Sequence, residues 1–270
     1  MSNIRLRATT ALALAGTAAF ALSFAAGPFA NAQDAKPAAT PEAAAFSADQ
    51  KKSIEEVVRN YLMANPQIVA EALQALDKKE MEQKAEAHEK FIIDNKAAIF
   101  AAPTDFVLGN PKGDVTVVEF FDYNCGWCKK AVDELVALPK KDGNVRIIFK
   151  ELPVYGGETS VTAAKAAMAS VAQGKYLDFH VALMHEKRVT DDNLYKIAQK
   201  AGLDVERLKK DMTAPAIDAA IKQNIAIAHT LGIEGTPGFL ADTKVFPGYI
   251  PPDNLATALA AIRKSGCKVC

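Results

Sequence analysis

Four cysteines are all that this 270-residue chain contains, and no excess of charge accompanies them. Lys plus Arg and Asp plus Glu each number 32, so no global field draws nucleic acid or an anionic membrane to the chain. A substrate must be found by a local site. Histidine is equally sparse, with only His88, His180, His185 and His229. His180 and His185 stand five apart, not the i, i+4 that sets two ligands on one helix face. The four read as packing or surface residues. The cysteines are too clustered to be a framework of staples, which would scatter them through a small fold. With 50% of residues hydrophobic and 24% charged, the composition is that of a soluble globular protein able to bury its own core.

Residues 1–32 stand apart from the rest. Arg5 and Arg7 precede an Ala/Leu/Phe run over 8–26, and Ala30-Asn31-Ala32 is a small-x-small cleavage site. This is the pattern of a cleaved secretory signal, with the periplasm as the expected location. An uncleaved membrane anchor is the alternative, since the apolar run approaches a span in length. Export decides how the cysteines are read, because thiols outside the cytoplasm are oxidised or are kept reduced by a dedicated system. All four lie in Cys-x-x-Cys pairs, Cys125/Cys128 and Cys267/Cys270.

After an Ala/Pro-rich leader over 33–45, helical signals begin. Ser47 and Gln50 have capping-box spacing, and Ile54, Val57, Val58, Tyr61 and Leu62 line one helix face. Asn65-Pro66 opens a second helix through Leu76. Charges then dominate to Lys90, leaving a thin stripe of Met81, Ala85, His88 and Ile92. Residues 46–102 therefore read as a helical stalk that associates with copies of itself, with a solvated spacer helix as the plainer alternative. Beyond Pro103, Val115–Phe121 is a buried strand, Cys125–Leu138 a helix ended by Pro139, and Val145–Phe149 a second strand. Together they form a βαβ unit with a parallel pair. Only helical periodicity follows, up to Leu231. Phe239–Leu240 and Val245–Phe246 then form a hairpin, and Asp253–Lys264 is a last helix. The order is that of an α/β thioredoxin-like fold. Residues 103–157 and 231–266 make the thioredoxin-like domain, 158–230 an inserted helical domain, and 267–270 a Cys-x-x-Cys tail.

The chemistry is expected at Cys125-Gly126-Trp127-Cys128, where a strand hands over to a helix. A sulfur at a helix N-terminus meets unpaired N–H groups and the positive dipole end, which favour the thiolate. Only the thiolate attacks a disulfide, and Cys128, one turn on, can resolve the mixed disulfide. No cofactor is required. The competing class is a copper- or zinc-handling protein that uses both Cys pairs as ligands. Glu119, the one charge inside the apolar strand, is either a buried acid that serves the proton of Cys128 or an edge residue facing solvent. Thr236-Pro237 precedes a strand, where it forms a cis bond that presents backbone to an extended substrate, or an ordinary turn. Cys267 and Cys270 read as an exposed local disulfide, with an accessory relay or a metal site as alternatives.

VVEFFDYNCGWCKKA, followed at long range by GTPGF, resembles the DsbA-like thiol–disulfide oxidoreductases of the bacterial envelope, and most closely their ScsC-like branch. The resemblance covers residues 46–264. It implies Cys125 as attacking sulfur, Cys128 as resolving sulfur, Glu119 as buried acid and Thr236-Pro237 as the cis-proline loop, with Gly126 and Trp127 meeting substrate. Gly-Trp between the cysteines, where strong oxidants of the family carry Pro-His, is similar to the disulfide isomerases and implies a milder couple. The partners so implied are unfolded or misdisulfided envelope proteins, a membrane redox protein that recycles the Cys pair, and further copies of this chain.

Overall fold

A computed structural model of the chain describes residues 46–270. The signal peptide expected over 1–32 and the leader over 33–45 lie outside the described residues. The backbone divides into two compact units, the first closing at Asn65 and the second running from Pro66 to Cys270. In the first, α1 (Ala48–Ala64) begins with the anticipated capping box: Gln50 N–H donates to Ser47 Oγ and Ser47 N–H to Gln50 Oε1. Its apolar row, Ile54, Val57, Val58 and Tyr61, is exposed.

The second unit opens with α2 (Gln67–Asp94) and α3 (Lys96–Phe100). The helix read through Leu76 and the charged stretch after it are one continuous element. No Gly or Pro interrupts residues 67–94, and Ala, Leu, Glu, Lys and Gln carry the helix through by propensity alone. Asn95 stops it, its side-chain amide donating to Phe91 O at 2.9 Å. Ile92, Ile99 and Phe100 are buried, so this stretch belongs to the core and not to a stalk reaching residue 102.

Five strands form one sheet in the order β1-β3-β2-β4-β5. They are β1 (Phe106–Gly109), β2 (Val115–Phe121), β3 (Val145–Glu151), β4 (Gly238–Ala241) and β5 (Lys244–Pro247). β2 and β3 are parallel, with α4 (Gly126–Lys141) as their crossover, and β4 runs antiparallel to β2 and pairs with β5. β1 carries no signal long enough to be read from sequence, and adds antiparallel to the edge of β3. Its end explains why Pro139 fails to stop α4, which runs on to Lys141. A Cβ on Gly109 would sit 2.9 Å from the Pro139 ring and 2.5 Å from Val145 O, and Gly109 has φ +90°. Pro139 thus packs onto a bare glycine, in the last turn, where little helix remains to lose a hydrogen bond.

Between β3 and β4 lie α5 (Glu158–Ser170), a single 3-10 turn (Val171–Gln173), α6 (Tyr176–His185), α7 (Asp191–Lys200), α8 (Val205–Asp211) and α9 (Pro215–Thr230). α10 (Pro252–Ser265) closes the fold. The thioredoxin-like sheet with a helical insertion is therefore the architecture observed. Every residue of β2 is buried, because helices cover both faces. Val115, Val117 and Phe121 join the cluster of α4, α5, α6 and α10, while Val118 and Phe120 join that of α2, α3 and α9. A strand buried on both sides cannot alternate, hence its unbroken run VTVVEFF.

Candidate active site

The strand-to-helix handover after β2 is held by Asp122, whose carbonyl accepts the Cys125 N–H at 3.1 Å. Cys125 is the N-cap of α4, and its Sγ accepts the Cys128 N–H at 3.4 Å. The sulfur therefore occupies the position that a Ser or Asp oxygen takes at other helix starts. Both cysteines are free thiols and both are buried, Cys128 completely. As a thiol, Cys125 donates to Thr236 O at 3.0 Å, and the Thr236–Pro237 bond is cis. The ordinary-turn alternative for that loop is thus excluded, and the structure brings Thr236 against the nucleophile.

Ionisation is strongly split between the two sulfurs. Cys125 is pushed down to about 6, first because the Cys128 thiol donates to it, with help from Thr236 and from the N–H groups of Cys128 and Trp127. Partial burial opposes this and is outweighed. Cys128 is pushed far above the usual thiol range by burial, by its bond to Cys125 and by the nearby Glu119 carboxyl. One sulfur is a ready nucleophile, and the other keeps its proton until something removes it.

Glu119 lies on the central strand with 1% of its surface accessible, which overturns the edge-strand alternative. It shares a sheet face with Val117 and Phe121, the face that α4 covers. Its Oε1 has no hydrogen-bond partner. Burial, then the charge of Cys125, raise it to about 8. A carboxyl of that strength next to Cys128 exchanges protons at neutral pH, as a resolving thiol requires.

Asp122 is the residue that sequence reasoning missed. Its buried carboxylate accepts from the N–H groups of Asn124, Val154 and Tyr155 and from Ser160 Oγ, all at 2.7–2.8 Å. Four donors from three segments fix the loop before Cys125 to the loop after β3. That second loop carries Tyr155, whose hydroxyl comes so close to Gly235 that a Cβ there would lie 2.7 Å from it. The available signal was an acid directly after a buried strand, with no cation nearby in sequence.

Gly126 and Trp127 form the open side of the site. A Cβ on Gly126 would meet nothing within 4 Å, and Trp127 is 55% exposed. Its ring lies 5.2 Å from Tyr249, with Lys130 Nζ over both rings. Beside them a 310 Å³ groove runs between α4 and α10, with Ala131, Leu135, Phe239, Tyr249 and Leu259 among its walls.

The histidines fall elsewhere. His180 is fully buried, its Nδ1 3.0 Å from Tyr123 Oη in a polar cluster with Glu151 and Tyr176, and burial lowers its pKa to about 3. His185 pairs with Asp133 at the surface. Among the described residues no three His, Cys, Asp or Glu converge in a manner that could hold a metal ion. Cys267 and Cys270 are bonded to each other. Cys270 is exposed and Cys267 half-buried, but Val269 between them is buried, and Asp242 Oδ1 accepts the N–H groups of Lys268 and Val269.

This geometry can be compared with known proteins. The Thioredoxin family profile matches residues 101–261, and the copper resistance protein ScsC N-terminal domain matches residues 50–83. A thioredoxin-like oxidoreductase from Silicibacter pomeroyi DSS-3 is 44% identical, covering 63% of this chain and 98% of its own, with a TM-score of 0.61. The thiol-disulfide exchange protein alpha-DsbA2 from Wolbachia pipientis is 28% identical over 67% of this chain and 98% of its own, TM-score 0.61. Proteus mirabilis ScsC in a transitional conformation is 25% identical over 82% and 99%, TM-score 0.59. Curated relatives found by sequence are Na(+)/H(+) antiporters NhaA, such as NhaA 3 of Salinispora tropica at 28% identity over 58% of this chain. The chain spans only 24% of that antiporter's length. With a thioredoxin match over more than half its length, the chain belongs to the thioredoxin family, and the segment ahead of that match is similar to the N-terminal domain of ScsC.

Proposed function

We propose that the protein is a thiol–disulfide oxidoreductase that exchanges disulfides with extended protein substrates, working in the isomerase direction. The observation that carries this is a single arrangement: Cys125 Sγ at the helix start, 3.0 Å from the backbone oxygen of Thr236, with its pKa near 6. At neutral pH Cys125 is mostly thiolate and attacks a substrate disulfide. The substrate sulfur leaves, and a mixed disulfide with Cys125 forms. Cys128 then passes its proton to Glu119 and attacks Cys125 Sγ, which releases the substrate thiolate and closes the Cys125–Cys128 bond. Alternatively the substrate's own thiol reattacks, and a rearranged substrate departs with the enzyme still reduced. The open surface at Gly126 and the aromatic platform at Trp127 suit an extended chain lying against Thr236.

The exposed apolar rows of α1 and of α2 (Val69, Leu73, Leu76) support self-association through the N-terminal segment, which would set several active sites around one substrate. Residues 1–32 support export to the periplasm, and no helix among the described residues is long and apolar enough to cross a membrane. The partners in this reading are misdisulfided envelope proteins and a membrane redox protein that recycles the Cys pair.

The test is Cys128→Ser expressed with its signal peptide. Mixed disulfides between Cys125 and envelope proteins are expected to accumulate and to vanish in the Cys125→Ser/Cys128→Ser double variant. An untrapped Cys128→Ser, with metal released from the wild type on purification, would favour the metal-handling class.

A further inference from the structure

Large apolar side chains held at a surface mark a place that something else covers. Beyond Met81, those of the described residues fall into two sets. Ile93, Val107, Val171 and Ile225 stand singly, on α2, β1, the 3-10 turn and α9. Trp127, Val154 and Tyr155 gather instead at the active-site loop, and Tyr155 is 60% exposed.

Trp127 belongs to the open side of the site already described. Val154 and Tyr155 stand on the other side, on the loop after β3, and both are fixed there. Their N–H groups donate to Asp122 Oδ2 at 2.7 and 2.8 Å, and the same carboxylate accepts the N–H of Asn124, directly before Cys125. At its other end, the Tyr155 hydroxyl reaches over Gly235, where a Cβ would lie 2.7 Å from it. Gly235 precedes Thr236, whose carbonyl holds Cys125 Sγ. Tyr155 is therefore tied by its backbone to the loop of the nucleophile, and its ring crosses towards the edge on which an extended substrate would pair.

Next to Tyr155 opens a cleft of 500 Å³, whose other walls include Asn124, Gly156 and Arg188. It is a built feature. A Cβ on Gly156 would fall 2.7 Å from Asn124 Nδ2 and 2.2 Å from Ser160 Oγ, so a bare glycine is what lets these groups meet. Val189 N–H donates to Asn124 Oδ1 at 2.9 Å, and Asn124 Nδ2 to Val189 O at 3.2 Å, which fixes the far wall beside the nucleophile as well. Charges of both signs border the cleft, Glu186 and Glu234 against Lys187 and Arg188. No net sign is left to select by, and what can discriminate between substrates is apolar contact.

We propose that Tyr155, with Val154, is a specificity-determining wall of the active site, on which a substrate rests a large apolar side chain to one side of its reacting cysteine. The inference rests on the exchange activity proposed above. A segment extended along Gly235–Thr236 advances about 3.3 Å per residue. With its cysteine at Cys125 Sγ, a side chain one to three residues away passes over the Tyr155 ring towards the cleft. Trp127 and Tyr249 meet the opposite flank. Cysteines within apolar segments of unfolded chains are thereby preferred over cysteines in polar turns.

Short peptides with a central cysteine among Gly and Ser test this, each with a single Phe at one, two or three positions before or after the cysteine. They reduce the full chain carrying the Cys125–Cys128 disulfide: the peptide thiolate attacks Cys125 Sγ and Cys128 leaves. Acid quench, alkylation and mass spectrometry give the rate constants. Each is divided by that of the same peptide with hydroxyethyl disulfide, which cancels differences in thiol strength. Phe on one flank is expected to accelerate the reaction about five- to ten-fold over Ser, the factor that partial cover of an aromatic ring supplies. In Tyr155→Ala that gain falls to near unity while the gain on the Trp127 flank persists, and Tyr155→Phe keeps both.

The proposal is overturned if Phe gives no gain in the wild type, or if every gain survives Tyr155→Ala. It is overturned too if the gains on both flanks vanish together, since the substitution then acts through the fold, or if Tyr155→Phe loses the gain, since the hydroxyl and not the ring is then responsible. If all peptides react at rates that ignore Phe, only this inference fails. If none reduces the Cys125–Cys128 disulfide, the exchange reading itself is wrong.

Discussion

Replacing Glu119 by Gln separates the cost of a buried acid from every other feature of the site. Its folded pKa is near 8 against 4.5 unfolded, so between these values the folded chain holds a proton that the unfolded chain has released. Stability must then fall as pH rises from 4.5 to 8 and level off above. A shift of 3.5 units corresponds to about 5 kcal/mol at 1.36 kcal/mol per unit. Part of that comes from the Cys125 charge, which titrates in the opposite sense: a lowered thiol pKa adds stability as pH rises above 6. Working with the Cys125–Cys128 disulfide removes both complications and leaves desolvation, the larger cause. More than half of that pH-dependent stability, on the order of 3–5 kcal/mol, should survive, since desolvation is the larger cause. The assay is urea unfolding of the oxidised protein at pH 5, 6, 7, 8 and 9, wild type against Glu119→Gln. Any constant offset from the amide is irrelevant, since only the slope reports the proton. Wild type should lose the stated amount by pH 8 while the variant stays flat. Parallel curves would mean that Glu119 is ionised in the folded protein across this range, and the raised pKa that lets it exchange a proton with Cys128 near neutral pH would be refuted.

Other outcomes follow from the same geometry. With the Cys267–Cys270 disulfide intact and Cys125 and Cys128 reduced, alkylation should hit Cys125 alone, with a rate that rises ten-fold per pH unit up to about 6 and then levels, as a rate–pH profile with mapped adducts will show. Asp122→Ala strands four donors around the active-site loop and should destabilise the protein by about 2–4 kcal/mol in denaturant unfolding, at the low end if water replaces the carboxylate. Gly238→Ala places a methyl 2.3 Å from the Ile233 side chain and should cost about 1–3 kcal/mol in the same assay. Arg263→Ala removes the pairing with Asp114 and Asp142. Arg263 and Asp142 are about one-third exposed and Asp114 about half, so a loss of no more than about 1 kcal/mol is expected.

The nucleophile was legible in the residues because its activation is local. Strand, short turn, cysteine and helix follow one another in the chain, and a sulfur at a helix start is ionised by the next few N–H groups. The βαβ unit, the hairpin and the helical run between them were legible for a like reason, since each leaves a period of its own in sequence. What only the tertiary structure decided depends on segments that meet from afar. Whether Glu119 faces solvent or core turns on the order of strands, and β4 on one side of β2 with β3 on the other makes it central. Asp122 gathers donors from residues more than thirty positions away, and β1 exists only because β3 offers it an edge. The tail followed the same rule: nothing in Gly-Cys-Lys-Val-Cys announces that Val269 is buried, because the carboxylate that anchors it stands on a hairpin on the far side of α10. Short-range dipoles and periodicities are written along the chain, whereas desolvation and the pairing of distant charges arise only when the chain closes on itself.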